Sequence, residues 1–307
     1  MVIHDRGYAR WRGDRSRPVA AVTVILRTGL RRSLAILFRR KLPAIGLLLG
    51  AYGMFVFALG FLIFKHYVLL NADTLPAQLA EFMRSDEVAE RFSANPDNVF
   101  LYMVWWQLAF VVIACVLLGS GLIAEDRRSN ALELYFSRPV GVAQYLMGKL
   151  ATIGTIIAAV TVIPTVLLVL FDTSMSLTDR ALLARKAALL GRTLLAGGVL
   201  VIMPSLFILA ASSLTSRARN SAILFIGFVV MLEFVLSNIL VEVFAQPLFH
   251  LLKPGFDLSQ VAAWLLGADT WLDTSVPVWL SAVVLAGWAA VLVPLLVRRV
   301  RPVEVVA

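Results

Sequence analysis

The chain has 307 residues, 60% of them hydrophobic and 15% charged, with a mean hydropathy of +0.86. That balance excludes an ordinary soluble domain and indicates a polytopic membrane protein. A formal net charge of +9 would suit a nucleic-acid binder, but the basic residues are placed as topology signals and call for no nucleic acid.

Residues 1–17 carry Arg6, Arg10, Arg12, Arg15 and Arg17 and lack the apolar stretch of a signal peptide. Insertion is therefore expected to rely on internal segments. The rest of the arm, to residue 41, reads as an amphipathic helix. Val22, Leu26, Leu30, Leu34 and Leu37 recur at helical spacing, while Arg27, Arg31, Arg32, Arg39 and Arg40 largely take other faces. Such a helix lies in the membrane interface with arginines toward lipid phosphates. It can brace the first span, anchor its orientation or touch a partner.

A membrane core of about 30 Å needs about 20 apolar residues in a helix. Six segments qualify, at 42–64, 101–124, 150–171, 194–214, 222–243 and 278–297. Together they predict an all-α membrane domain over 42–307. The connections on the side of the amino terminus hold 20 Lys and Arg, and those on the other side hold 8. Both termini are therefore expected in the cytoplasm. Arg180, Arg185, Lys186 and Arg192 run against this trend, which an amphipathic start to the fourth span would explain. The outer segment 65–99 is acidic and suggests one or two short helices.

The second span carries Gln107 and Cys115. Cys115 is the only cysteine, which excludes an intramolecular disulfide and suits a small buried hydrophobe. After this span comes the cytoplasmic connection 125–149, opening with Glu125 and Asp126. Asn130 and Glu133 have the spacing of a capping box. The helix they open can run only to about Ser137, because Pro139 biases Arg138 away from helical geometry. So short a helix needs support from the membrane surface, the span ends or another protein. Leu132, Tyr135 and Phe136 share one side of it, an apolar and aromatic ridge of the kind that anchors a helix in a groove. Further on, Gly141 to Gly148-Lys149-Leu150 only superficially resembles a phosphate-binding loop. Six residues separate the glycines where four are required, and no Ser or Thr follows the Lys. No other stretch fits a Walker A pattern.

Glu233 lies within the fifth span. A carboxyl there is costly unless paired or wetted, so Glu233 and Gln107 are candidates for a translocation path, or else structural partners of neighbouring helices. Gly46 and Gly50 permit close helix approach. The stretch 244–277 is apolar but broken by Pro247 and Pro254-Gly255, which fits two short helices dipping back from the outer face. Trp264, Trp271 and Trp279 would then be interfacial anchors.

The connection 125–149 resembles that of the membrane-spanning subunits of type 2 ABC exporters. The shared features are Glu125-Asp126, Asn130-Ala131, Leu132-Glu133-Leu134, Ser137-Arg138-Pro139-Val140 and Gly148-Lys149. Asn130-Ala131 stands where Gly-Thr is commoner, and Gly141-Val142 where Ser/Thr-Arg often follows. The resemblance extends to the basic elbow, six spans with both ends inside and an apolar loop before the last span. It implies that the short helix is a coupling helix seated in an ATP-hydrolysing subunit, with Glu125, Asp126, Asn130, Leu132, Glu133, Tyr135, Phe136, Arg138 and Pro139 as the coupling residues. It also implies two copies of this chain with two ATP-binding subunits, which hold the ATP and Mg, in a bacterial inner membrane. Export is the leading reading; the apolar spans suit a lipidic or amphipathic cargo, with polysaccharide, peptide, drug and ion export also open. The alternatives are an ion-gradient-driven secondary transporter, for which no convincing half-repeat is visible, and a membrane scaffold without an ATPase. An intramembrane enzyme ranks last, since no catalytic motif occurs near the spans.

Overall fold

A computed structural model describes residues 18–39, 41–70, 98–136, 140–174, 180–268 and 275–301. The described residues form helices α1 (Pro18–Arg39), α2 (Lys41–Leu70), α3 (Asn98–Ala114), α4 (Ala124–Arg128), α5 (Ala131–Phe136), α6 (Val142–Val160), α7 (Val162–Ser174), α8 (Arg180–Leu214), α9 (Ala218–Val230), α10 (Ser237–Phe244), α11 (Pro254–Leu266) and α12 (Val278–Val300), with no strand among them. Six of these stretches are long and apolar enough to cross a membrane: Ile45–Phe64, Asn98–Arg128, Val142–Val160, Ala184–Leu214, Ala218–Phe244 and Val278–Val300. The protein is therefore a multi-pass all-α membrane protein with the expected number of spans.

Their interiors are less regular than the sequence suggests. The second span passes through a π-helical turn, Cys115–Gly119, and continues into α4. Glu125 and Asp126 are thus helical residues at the end of the span, not loop residues. The third span is two helices meeting at Thr161. Pro164 offers no N–H to the carbonyl four residues back, so the helix breaks one turn before it. The fifth span has a π-helical turn, Met231–Leu236, around Glu233. Cys115 is fully buried, as its apolar context implies.

The core is built around α8, which packs against α6, α7, α9, α11 and α12. Its span is 67% buried, whereas the fifth span is only 11% buried and forms one flank. α8 begins at Arg180, well before the predicted 194, so Arg185, Lys186 and Arg192 are residues of the helix itself. Lys186 pairs with Asp172 in a buried salt bridge, and Arg192 lies against Gly267, at the left-handed C-cap of α11. Between the fifth and sixth spans, a 3-10 turn (Pro247–Leu252) leads to α11, which is packed between α3, α8 and α12.

The elbow helix also packs on the protein through a stripe beside its predicted apolar series. Its buried stripe is Ile25, Gly29 and Ser33, flanked by half-buried Val22, Leu26 and Leu30, and Leu34 is 46% exposed. The stripe fits onto α6. A Cβ at Gly29 would clash with Thr152, and one at Gly148 would come within 2.6 Å of Ile25. Small residues here set the distance between two helices, a role invisible in a hydropathy count.

Candidate functional site

The residues of the expected coupling region gather where α1, α4, α5 and α6 meet. Two features place α4. The Ser212 hydroxyl accepts from the backbone N–H groups of Ile123 and Ala124 at 3.0 and 2.9 Å and donates to the Ser120 carbonyl at 2.8 Å. The Arg127 guanidinium donates to the Ser213 carbonyl. The end of the second span is thereby fastened to the end of the fourth, with partners for backbone groups that its π-helical turn displaces.

Asp126 is the centre of the cluster. It is 4% exposed, accepts from the Tyr145 hydroxyl at 2.9 Å and from Lys149 Nζ at 2.6 Å, and has Arg32 of α1 at 3.7 Å. Arg32 also pairs with Glu125. Two carboxylates thus face two cations across three helices, so the buried charges are compensated. Arg32, Tyr145 and Ser212 escape a reading by motif, because their partners are distant in sequence. Lys149 does belong to the quoted Gly148-Lys149 pair. Each member now has a physical duty: Gly148 admits Ile25 of the elbow, and Lys149 neutralises Asp126.

α5 stands on this cluster. The Tyr135 and Phe136 rings contact Tyr145, with centroids 5.4 and 6.0 Å apart, and Leu132 is half-buried alongside. Burial, reinforced by the Asp126 carboxylate, pushes the Tyr135 phenol up from its ordinary pKa. The predicted ridge therefore packs on the end of a neighbouring span, one of the three supports open to so short a helix. The residues that α5 exposes are Glu133 and Leu134, the latter at 64%. The capping box is corrected. Asn130 has a left-handed φ of 53° and gives its N–H to the Arg127 carbonyl at 3.3 Å. It closes α4 as a C′ residue and does not open α5 in the extended geometry of an N-cap. Arg138 and Pro139 lie outside the described residues.

The two candidate path residues are not brought together. Gln107 is fully buried between α3, α7 and α8. Its side-chain amide lies 3.3 Å from the Thr165 hydroxyl, and it borders a cavity of only about 10 Å³. In this chain it is a buried residue at the contact of three helices. Glu233 Oε2 accepts the Gly255 N–H at 3.0 Å, capping the first turn of α11. Glu233 is thus a structural partner, and it also borders a groove of about 840 Å³ lined by Trp105, Trp106, Phe207, Phe228 and Lys253. Trp264 and Trp279 are exposed at 67% and 63%, and Trp271 lies outside the described residues.

Among known families, residues 15–299 match the ABC-2 family transporter proteins. No curated protein matches the chain. With six apolar spans and a match over nearly its whole length, the chain belongs to the ABC-2 transporter family, as a membrane permease that associates with an ATP-binding subunit.

Proposed function

We propose that the chain is the permease of an exporter in a bacterial cytoplasmic membrane, with both termini inside, and that two copies work with two separate ATP-binding subunits that hold ATP and Mg. One observation carries this reading. α5 is a six-residue helix, too short to persist alone, that is held by its own chain through Tyr135 and Phe136 while Glu133 and Leu134 face outward. A helix presented in this way is a plug for a partner's cleft. Movement of that partner would be passed through Tyr145 and Lys149 to α6, and through Arg32 to α1. Asp126 and Glu125 serve as the joint in this scheme.

The groove beside Glu233 supports a lipidic or amphipathic cargo, since indole and phenyl walls would take an apolar body and Glu233 and Lys253 a polar end. A second copy of the chain would close the exposed flank.

The test is coexpression with the ATP-binding subunit encoded beside the gene. Leu134→Asp should weaken the complex by about 30-fold, the loss expected when an apolar anchor is removed from an interface. Tyr135→Ala with Phe136→Ala should do the same by unseating α5. If neither change affects complex recovery or transport-linked ATP hydrolysis, α5 is not the coupling element.

A further inference from the structure

Asp257 has no part in the coupling joint or the groove lining. It sits one turn into α11, 0% exposed, with both carboxyl oxygens buried and no hydrogen-bond partner. Its polar surroundings consist of a short relay. The Gln260 amide donates to the Val276 carbonyl at 2.6 Å, and the Ser281 hydroxyl of α12 donates to Gln260 Oε1. Ser281 stands beside Asp257 but has spent its single proton on Gln260. The relay is therefore saturated with donors everywhere except at its Asp257 end, where Ser281 Oγ has a free lone pair.

The Ser281 hydroxyl has one proton, so it can serve an ionised Asp257 only by withdrawing from Gln260. A protonated Asp257 completes the chain, its O–H donating to Ser281, Ser281 to Gln260 and Gln260 to Val276. The charged groups around it supply no counter-ion. On the Met231–Leu236 turn, Glu233 is itself acidic and engaged with Gly255. On the 3-10 turn and its end, His250 stacks on Phe256 and Lys253 binds Asn238 at 2.6 Å. α3 has no charged residue, the arginines of α12 lie at its other end, and Arg192 of α8 is at the far end of α11, against Gly267.

We propose that Asp257 is a proton-binding site which locks α11 to α12, so that separation of these two helices releases a proton. α11 is not one of the six spanning segments, and burial, with the nearby Glu233 adding to it, pushes the Asp257 carboxyl up to about 8. A hydrated Asp titrates near 3.9. Because the packed form has the higher pKa, the seam is most stable below about pH 4. It loosens as pH rises toward about 8, by about tenfold in the opening constant per pH unit for one linked proton.

Hydrogen–deuterium exchange over residues 255–266 of the full chain in lipid nanodiscs, corrected for intrinsic exchange, tests this between about pH 5 and about pH 8. The unmodified protein and Glu233→Gln should open about tenfold more per pH unit, while Asp257→Asn, which can still donate to Ser281, should be flat. The same slope in Asp257→Asn as in the unmodified protein overturns the proposal. Infrared spectroscopy of the unmodified chain gives an independent check should the variant fail to fold. A protonated-carboxyl band at neutral pH that disappears on alkalinisation supports the lock, and its absence refutes it.

Discussion

Asp126 shows how much can rest on one side chain. Its carboxylate is buried, yet it is served by an ammonium at 2.6 Å, a phenol at 2.9 Å and a guanidinium at 3.7 Å. Removal of the ammonium leaves a buried charge with a deficit of donors, which is costlier than the pair itself is favourable. Lys149→Met should therefore lower stability by about 3 kcal/mol, and Asp126→Asn combined with Lys149→Met by clearly less, as read from thermal unfolding in one detergent. Equal losses in the single and double variants would mean that the two groups are not coupled. Both residues stand in the motifs of the sequence, but nothing local says that they meet, since a helix and a turn intervene. Asn130 was legible in a different way. A polar residue before a short helix looks like an N-cap, but an N-cap needs an extended backbone, and φ of 53° is the left-handed region. Asn tolerates that region better than other residues with a Cβ. This explains why it can stand where the family more often has Gly.

At the level of elements, hydropathy revealed what is long and apolar and missed what is close. The six spans and the broken stretch before the last one were readable because burial in lipid demands runs of apolar residues. The seat of α1 was not readable, because Gly29, Ser33 and Gly148 carry no hydropathy signal, and their contribution is the absence of atoms. The π-helical turn Cys115–Gly119 was equally silent, for its exit depends on how Ser212 receives the displaced backbone. The α1–α6 contact yields a prediction. In Gly148→Ala the new Cβ would sit 2.6 Å from Ile25, which forces the helices apart at a cost of about 1–3 kcal/mol. Shortening the opposing side chain makes room, so Gly148→Ala with Ile25→Ala should unfold at a higher temperature than Gly148→Ala alone. If the second change only adds to the damage, the helices are not held at this point.

Across the whole molecule, the third span is the member clamped at both ends. Its first half, α6, carries Tyr145 and Lys149 and is bound to α1, α4 and α5. Its second half, α7, is tied to α8 through the buried Asp172–Lys186 pair. Between the clamps lies the break at Thr161. Three residues within about one turn produce it. Pro164 cannot donate to Val160, and the Thr161 and Thr165 hydroxyls donate to carbonyls four residues back, at 2.9 and 2.8 Å, a habit that bends helices. A rigid rod fixed at both ends would transmit a push on α5 directly into the α7–α8 packing, whereas a jointed one lets α6 tilt while α7 stays in place. Pro164→Ala restores the missing hydrogen bond and stiffens the joint. The variant should unfold at the same or a higher temperature and bind the ATP-binding subunit normally, because α5 is untouched. Its transport-linked ATP hydrolysis should fall several-fold. Unchanged turnover alongside raised stability would show that the third span moves as one body and that the joint lies elsewhere.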